Sequence, residues 1–188
     1  MLRKCLKEFG KFMIIVGLKD VKIDDAEAVL NQIRRETKIQ VQIFDAKCVA
    51  SWQHLYFAAL NALKAFRDKL NISSSLAVEA LLYASGQRQI QKAVDMLGVK
   101  LKTRNVAVLI IADSGDEARE TLNRVSKTIG GEFDDRVMEV TAEKYPSLKS
   151  LFEISNHEIE AQTERKNLEK EALIYLIIEH GALLLVTK

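Results

Sequence analysis

The chain has 188 residues, of which 48% are apolar and 29% charged, with a formal net charge of +2. These values describe one globular domain over residues 1–188, and they confine any nucleic-acid contact to a local basic patch. The longest apolar runs, Phe12 to Val16, Val106 to Ala112 and Ala182 to Val186, fall well short of the roughly 20 residues that span a bilayer. No membrane association is expected. The start, MLRKCLKEFGK, lacks the apolar stretch of a secretory signal. Cys5 and Cys48 are far apart and read as reduced thiols of a cytoplasmic protein.

Phe12 to Leu18 is a continuous apolar run with β-branched members and reads as a buried strand. Asp24-Asp25 opens a helix with Ala26, Val29, Leu30 and Ile33 at helical spacing. Ile39, Val41 and Ile43 alternate with Gln40 and Gln42, as in a strand with one covered face. Val49 to Lys69 reads as a long helix. Trp52, Leu55, Tyr56, Ala59, Leu63, Phe66 and Leu70 form its main stripe, and Phe57 and Leu60 add a second apolar face. Leu76 to Ala84 is an apolar helix broken at Ser85-Gly86, after which Gln87-Arg88-Gln89 opens a second amphipathic helix.

Val106 to Ala112 is the clearest buried strand. Ser114-Gly115-Asp116-Glu117 is a capping box, and its helix stops at Gly130-Gly131. Val137, Met138 and Val140 suggest a short strand. Pro146 suits the first turn of a short helix. Ser155-Asn156-His157-Glu158 is a second capping box, starting a long helix that runs to about Glu179 and ends at Gly181. The segment from His157 to Lys170 reads as a solvated face, and Ala182 to Val186 as a last strand. The expected order is β-α-β-α-α-α-β-α-β-α-α-β. This is an α/β (mixed α+β) class, with a small mixed β-sheet covered by several helices in a single domain.

Catalytic equipment is missing from this pattern. The glycines match no nucleotide-binding fingerprint, and there is no nucleophile elbow or kinase signature set. His54, His157 and His180 are scattered and lie near no cysteine pair, which argues against a metal site. Asp24-Asp25 and Asp134-Asp135 fall where turns and caps need acids. A non-enzyme with no cofactor is the reading, and a small-molecule or nucleotide-binding enzyme is a weaker one.

What remains is a constellation that can bind. The start of a helix with free N–H groups beside an arginine suits a phosphate or carboxylate. Two such starts lie close in sequence, Asn71 to Ser75 and Ser85 to Gln89. Between Gly86 and Arg104 stand Arg88, Lys92, Lys100, Lys102 and Arg104 against the single acid Asp95, a local +4 that can track a nucleic-acid backbone. The bland alternative is that the serines are only caps and the lysines only solvate. Glu79, amid apolar neighbours, either bonds back to a helix-start N–H or holds Arg88. A second candidate is an apolar partner surface on the two-sided helix and the segment Ala172 to Ile178, with core burial as its alternative.

The segments FDAKCVASWQHLYFAALNALKAF and NISSSLAVEALLYASGQRQIQKAVDMLGV resemble the kinase-binding subunit of the KEOPS (EKC) complex, the TPRKB-like family. The similarity is carried by Phe44-Asp45-Ala46, Val49-Ala50, His54, Asn71-Ile72, Ser75-Leu76, Glu79 and above all Ala84 to Ile90, and it extends through Gly130-Gly131-Glu132 and Asp134-Asp135. The resemblance implies a non-catalytic subunit that binds the small atypical kinase/ATPase of KEOPS. It also implies a role in threonylcarbamoyl modification of adenosine in tRNAs reading codons that start with A. It further implies contact with the tRNA's CCA 3′ end, through Asn71, Ser75, Ser85, Gly86, Gln87, Arg88, Gln89 and Lys92. Relatives often carry a basic residue where this chain has Ser73-Ser74, so phosphate recognition falls more heavily on Arg88. The kinase face implied here runs through Phe57, Leu60, Leu173, Ile174 and Ile177. The alternative is a kinase regulator that touches no RNA.

Overall fold

The computed structural model describes residues 1–23, 25, 28–29, 32–33, 39–163 and 168–185. Two nearly uninterrupted apolar runs form the centre of its sheet. β2 (Lys11–Lys19) and β4 (Val106–Ala112) pair antiparallel, from Phe12 opposite Ala112 to Leu18 opposite Val106. β1 (Leu2–Leu6) pairs with β2, and β3 (Gln40–Asp45) pairs with β4, giving the order β1-β2-β4-β3. β5 (Glu132–Phe133) extends the β1 side by pairing with the end of β2.

Side chains alternate across this sheet and feed two cores. Met13, Ile15, Phe44, Leu109 and Ile111 face one of them. It is closed by α1 (Trp52–Asp68), α2 (Leu76–Ser85), α3 (Ile90–Leu97) and α7 (Glu169–Ala182). Ile14, Val16, Ile43, Val108 and Ile110 face the other, closed by α4 (Gly115–Ile129). Cover on both faces explains why β2 and β4 are apolar at nearly every position. α5 (Lys144–Leu151) and α6 (Asn156–Gln162) follow, with Leu148 and Ile159 inward.

The mixed α+β class is borne out, and both capping boxes form as read, at Ser114 with Glu117 and at Ser155 with Glu158. The sheet, expected to be mixed, is antiparallel in every pairing. The three helices between β3 and β4 return the chain to the end where β3 stops. Ala46 N–H donates to the Asn105 carbonyl there at 3.0 Å, so β4 must run back. β1 was not anticipated. Residues 135–138 form a 3-10 turn rather than a strand, because Asp134 caps it and the Asp135 carboxylate accepts the Gly17 N–H at 2.9 Å. The long helix expected from Ser155 is two helices, since Thr163 is extended and ends α6. The expected last strand is instead the end of α7 and a 3-10 turn, Leu183–Leu185, and Val186 lies outside the described residues. Of the helix expected at Asp24-Asp25, Asp24, Ala26 and Leu30 also lie outside them, while Ile33 is buried.

Gly181 does not end α7. It sits inside the helix where α7 crosses α2, and a Cβ there would run into the Tyr83 carbonyl. Replacement by a branched side chain must push the two helices apart. Gly181→Val is therefore expected to cost about 2–3 kcal/mol, read as a lower urea midpoint with an unchanged slope. An unchanged midpoint would show that α7 has room to shift.

Candidate functional site

The site is built around the break between α2 and α3. Ser85 ends α2, and Gly86 takes the left-handed conformation at φ 64°. The Gly86 and Gln87 N–H groups donate to the carbonyls of Tyr83 and Leu82, which closes the helix end. The Ser85 hydroxyl donates to Leu82 O at 3.0 Å and accepts from Gln87 N at 3.2 Å. The serine is thus consumed by the turn, and the polar side chains after it stand outward. Arg88, Gln89 and Lys92 are exposed and Gln87 is half-buried. Gln89 occupies the cap position of α3 but gives its first turn no side-chain cap. The first N–H groups of any helix lack intrahelical partners, so this turn presents a partial positive charge beside Arg88.

The C-terminal segment completes the site. Arg88 Nη1 donates to the Leu184 carbonyl at 3.4 Å. The backbone of His180 lies directly under Gly86. No sequence signal could have found this contact, because the partners are 96 residues apart and one is a backbone carbonyl.

Beneath the turn lies His54, which is fully buried. Its Nδ1 accepts the Ala50 N–H at 3.3 Å, and its Nε2 donates to the Ala84 carbonyl at 2.7 Å. The accepted N–H assigns the tautomer, with the proton on Nε2. The Phe152 ring packs against it edge-on at 5.5 Å. Burial drives its pKa down from 6.5 to about 4. The Ala84 hydrogen bond opposes that shift, and the nearby Lys144 charge adds to it.

The other helix start is wired differently. Glu79 is fully buried and accepts the N–H groups of Ile72, at 3.1 and 3.0 Å, and of Ser73, at 2.7 Å. Of the two roles open to Glu79, it takes the first and does not hold Arg88. Ser75 caps α2 through Val78 N, Gln40 Oε1 accepts Ala77 N, and Asn71 Nδ2 donates to Ser73 O. These donors are already used. Asn71 and Ser75 are also set apart from the Ser85–Gln89 turn by the ten residues of α2, about 15 Å.

The candidate partner face is divided. Phe57 is 42% exposed, and Leu60 and Ile174 are half-buried. Leu173 and Ile177 are buried in the core, so a partner face cannot run through them in this conformation. The helix turns them inward because α7 packs against α1 and α2. Two residues not assigned to this face are exposed there: Trp52, and Tyr175 at 60%. Trp52, Tyr56 and Phe57 stack edge to face at 6.1 and 5.4 Å, and Lys4 Nζ lies 4.6 Å from the Tyr56 ring centre. Beside Trp52 opens a groove of about 480 Å³ lined by Leu2, Met138, Val140 and Ile174.

Residues 19–180 match the family described as kinase binding protein CGI-121. The chain belongs to that family. It is also 32% identical over 164 residues to the regulatory protein Cgi121 of Methanocaldococcus jannaschii, covering 87% of this chain and 98% of that protein. The resemblance, read from Phe44 through Asp135, is borne out at the level of the family. Among the described residues no helix is long and apolar enough to cross a membrane.

His54 makes the stability of this family member depend on pH. The folded chain refuses a proton that the unfolded chain takes up between pH 6.5 and about 4. Its contribution is complete above 6.5 and declines as pH falls toward 4, by at most about 3 kcal/mol. Urea titrations from pH 7.5 to 4 should show this loss, and His54→Gln should flatten it relative to the native chain. Parallel curves would show that His54 is not the titrating group.

Proposed function

We propose that the chain is a non-catalytic subunit of the KEOPS complex, which seats the CCA 3′ end of tRNA at the Ser85–Gln89 turn and binds the complex's small atypical kinase/ATPase subunit. The observation that carries the RNA part is the turn itself. A left-handed glycine, a helix start that its Gln89 does not cap and an exposed arginine anchored on the C-terminal segment converge there. A single-stranded RNA end offers phosphates and unstacked bases, which such a turn can hold by backbone N–H groups, guanidinium and amide side chains. The kinase part is supported by family membership and by the aromatic row Trp52-Tyr56-Phe57 beside a groove that mixes apolar residues with Asp135, Glu139, Lys170 and Glu171. Aromatic anchors of this kind dominate protein interfaces.

A second reading, a kinase regulator without RNA contact, is favoured by one observation. The Asn71–Ser75 loop spends the Ile72 and Ser73 N–H groups on Glu79 and the Ser75 N–H on Ser73 Oγ. On the leading reading Arg88, and not this loop, carries the phosphate contact.

Fluorescence anisotropy with intact tRNA and with tRNA lacking CCA separates the two. Intact tRNA should bind at least tenfold tighter, and Arg88→Ala with Gln87→Ala should remove that advantage. Equal binding of the two RNAs would leave the regulator reading.

For the kinase, Phe57→Glu places a charge in the aromatic row and should weaken co-purification at least tenfold. Intact co-purification would move the interface off α1.

A further inference from the structure

A second cationic surface lies apart from the α2–α3 turn. The loop from Lys100 to Asn105 joins α3 to β4, and with Val21, Lys22 and Ile23 it walls a groove of about 590 Å³. The described lining is Val21, Lys22, Ile23, Leu101, Lys102, Thr103 and Arg104, three cations with no acid. Lys22, Lys102 and Arg104 are exposed and form no ion pair among the described residues, whereas Arg67, Arg119, Arg124 and Arg136 are each paired with an acid.

The loop is built to hold this arrangement. Lys100 N–H donates to Thr103 Oγ1 at 2.9 Å, and that hydroxyl donates to Asp45 Oδ2 at 3.1 Å. Val21 N–H donates to the Arg104 carbonyl at 2.9 Å, tying the two walls together. Lys102 sits in the left-handed region at φ 74°, a conformation unusual for a lysine. Of the acids flanking the groove, Asp45 is spent on Thr103 and on the Lys47 N–H and Asp25 accepts the Ala28 N–H, while Asp20 stands one residue before Val21.

The groove and the turn are parts of one end of the molecule. Asn105 O binds Ala46 N, the 3-10 turn Ala46–Cys48 leads to Ala50, and Ala50 N binds His54, which binds Ala84 O. That run passes from the groove to the residue just before Ser85-Gly86. The α3 helix, eight residues or about 12 Å long, joins the same two places.

We propose that this groove takes the sugar-phosphate backbone of the RNA duplex adjoining the single-stranded end held at Arg88. The inference rests on the CCA reading above for its ligand. A duplex presents its phosphates in a dense row, and cations without acids between them are its complement. The contact is to backbone, so it adds affinity and salt dependence without base preference. Leu101, 70% exposed at the loop tip, packs against the sugar face of the groove on this arrangement.

The test is a combined variant, Lys22→Gln, Lys102→Asn and Arg104→Gln. Asn suits the left-handed position, and the Arg104 carbonyl contact is retained. Binding is measured against intact tRNA and against an eight-nucleotide single strand ending in CCA, from 50 to 200 mM salt. The expected result is a loss of about 10- to 100-fold for tRNA, a salt slope lower by about two to three, and unchanged binding of the single strand. Arg88→Ala should weaken both ligands. Unchanged tRNA affinity and slope in the combined variant, with Arg88→Ala still weakening both, would overturn the groove and leave the CCA reading intact. Failure of the native chain to bind either RNA would overturn both. Vesicles containing phosphatidylserine form the control arm, and loss of vesicle binding alone in the combined variant would overturn the RNA assignment in favour of a lipid surface.

Discussion

The buried imidazole of His54 ties the entry of α1 to the last turn of α2. Its Nδ1 takes the Ala50 N–H and its Nε2 proton goes to the Ala84 carbonyl. One side chain on α1 thereby satisfies a donor at the entry to its own helix and an acceptor in the last turn of α2. Both groups are buried, and leaving either unpaired costs about 1–3 kcal/mol. Only a neutral imidazole can do both jobs, because a protonated ring has no acceptor. The position of Ser85-Gly86, and so of everything polar that follows it, depends on this ring staying neutral.

Glu79 plays the complementary part at the other end of α2. A carboxylate with no solvent exposure must find strong donors, and two backbone N–H groups of the Ile72–Ser73 loop supply them. Burial, reinforced by that carboxylate, also pushes the neighbouring Tyr83 hydroxyl up to about 12, so it remains a phenol at any working pH. With Glu79 committed to the loop, Arg88 turns instead to the carbonyl end of the α7 segment, where a cation is favoured. The two charged residues that the sequence places nine apart serve opposite ends of one helix.

The legible parts of the chain were those governed by local physics. Val106 to Ala112 and both capping boxes were readable because burial on two faces and reciprocal N-terminal bonding leave a pattern in adjacent residues. β1 was not, because Leu2–Leu6 is an edge strand whose three middle residues are exposed, which erases the apolar signal. Val137 and Met138 look like a strand in isolation, and only the tertiary bond from Gly17 to Asp135 bends them into a 3-10 turn. Gly181 looks like a helix stop and is a crossing point, since the carbonyl it makes room for belongs to Tyr83. At the candidate site the polar run Gln87-Arg88-Gln89 was visible and its C-terminal wall was not. The apolar C-terminal helix was readable as apolar, but its inward side, Leu173 and Ile177, could not be told from its outward side, Ile174 and Tyr175, when nearly every position is apolar.

That helix links the two proposed surfaces. The outer face of α7 carries the exposed Tyr175, its Ile174 lines the groove at Trp52, and the turn that follows α7 offers the Leu184 carbonyl to Arg88. Its inner face is locked to α2 at Gly181 and to the core at Leu173 and Ile177. A partner seated on the outer face would press on an element that cannot slide without moving the Tyr83 carbonyl and the turn above it. Packed interiors transmit such displacement because they have little room to absorb it. On the proposed reading the groove at Trp52 and the Ser85–Gln89 turn thus share α7 as a common wall, with Gly181 fixing its position against α2.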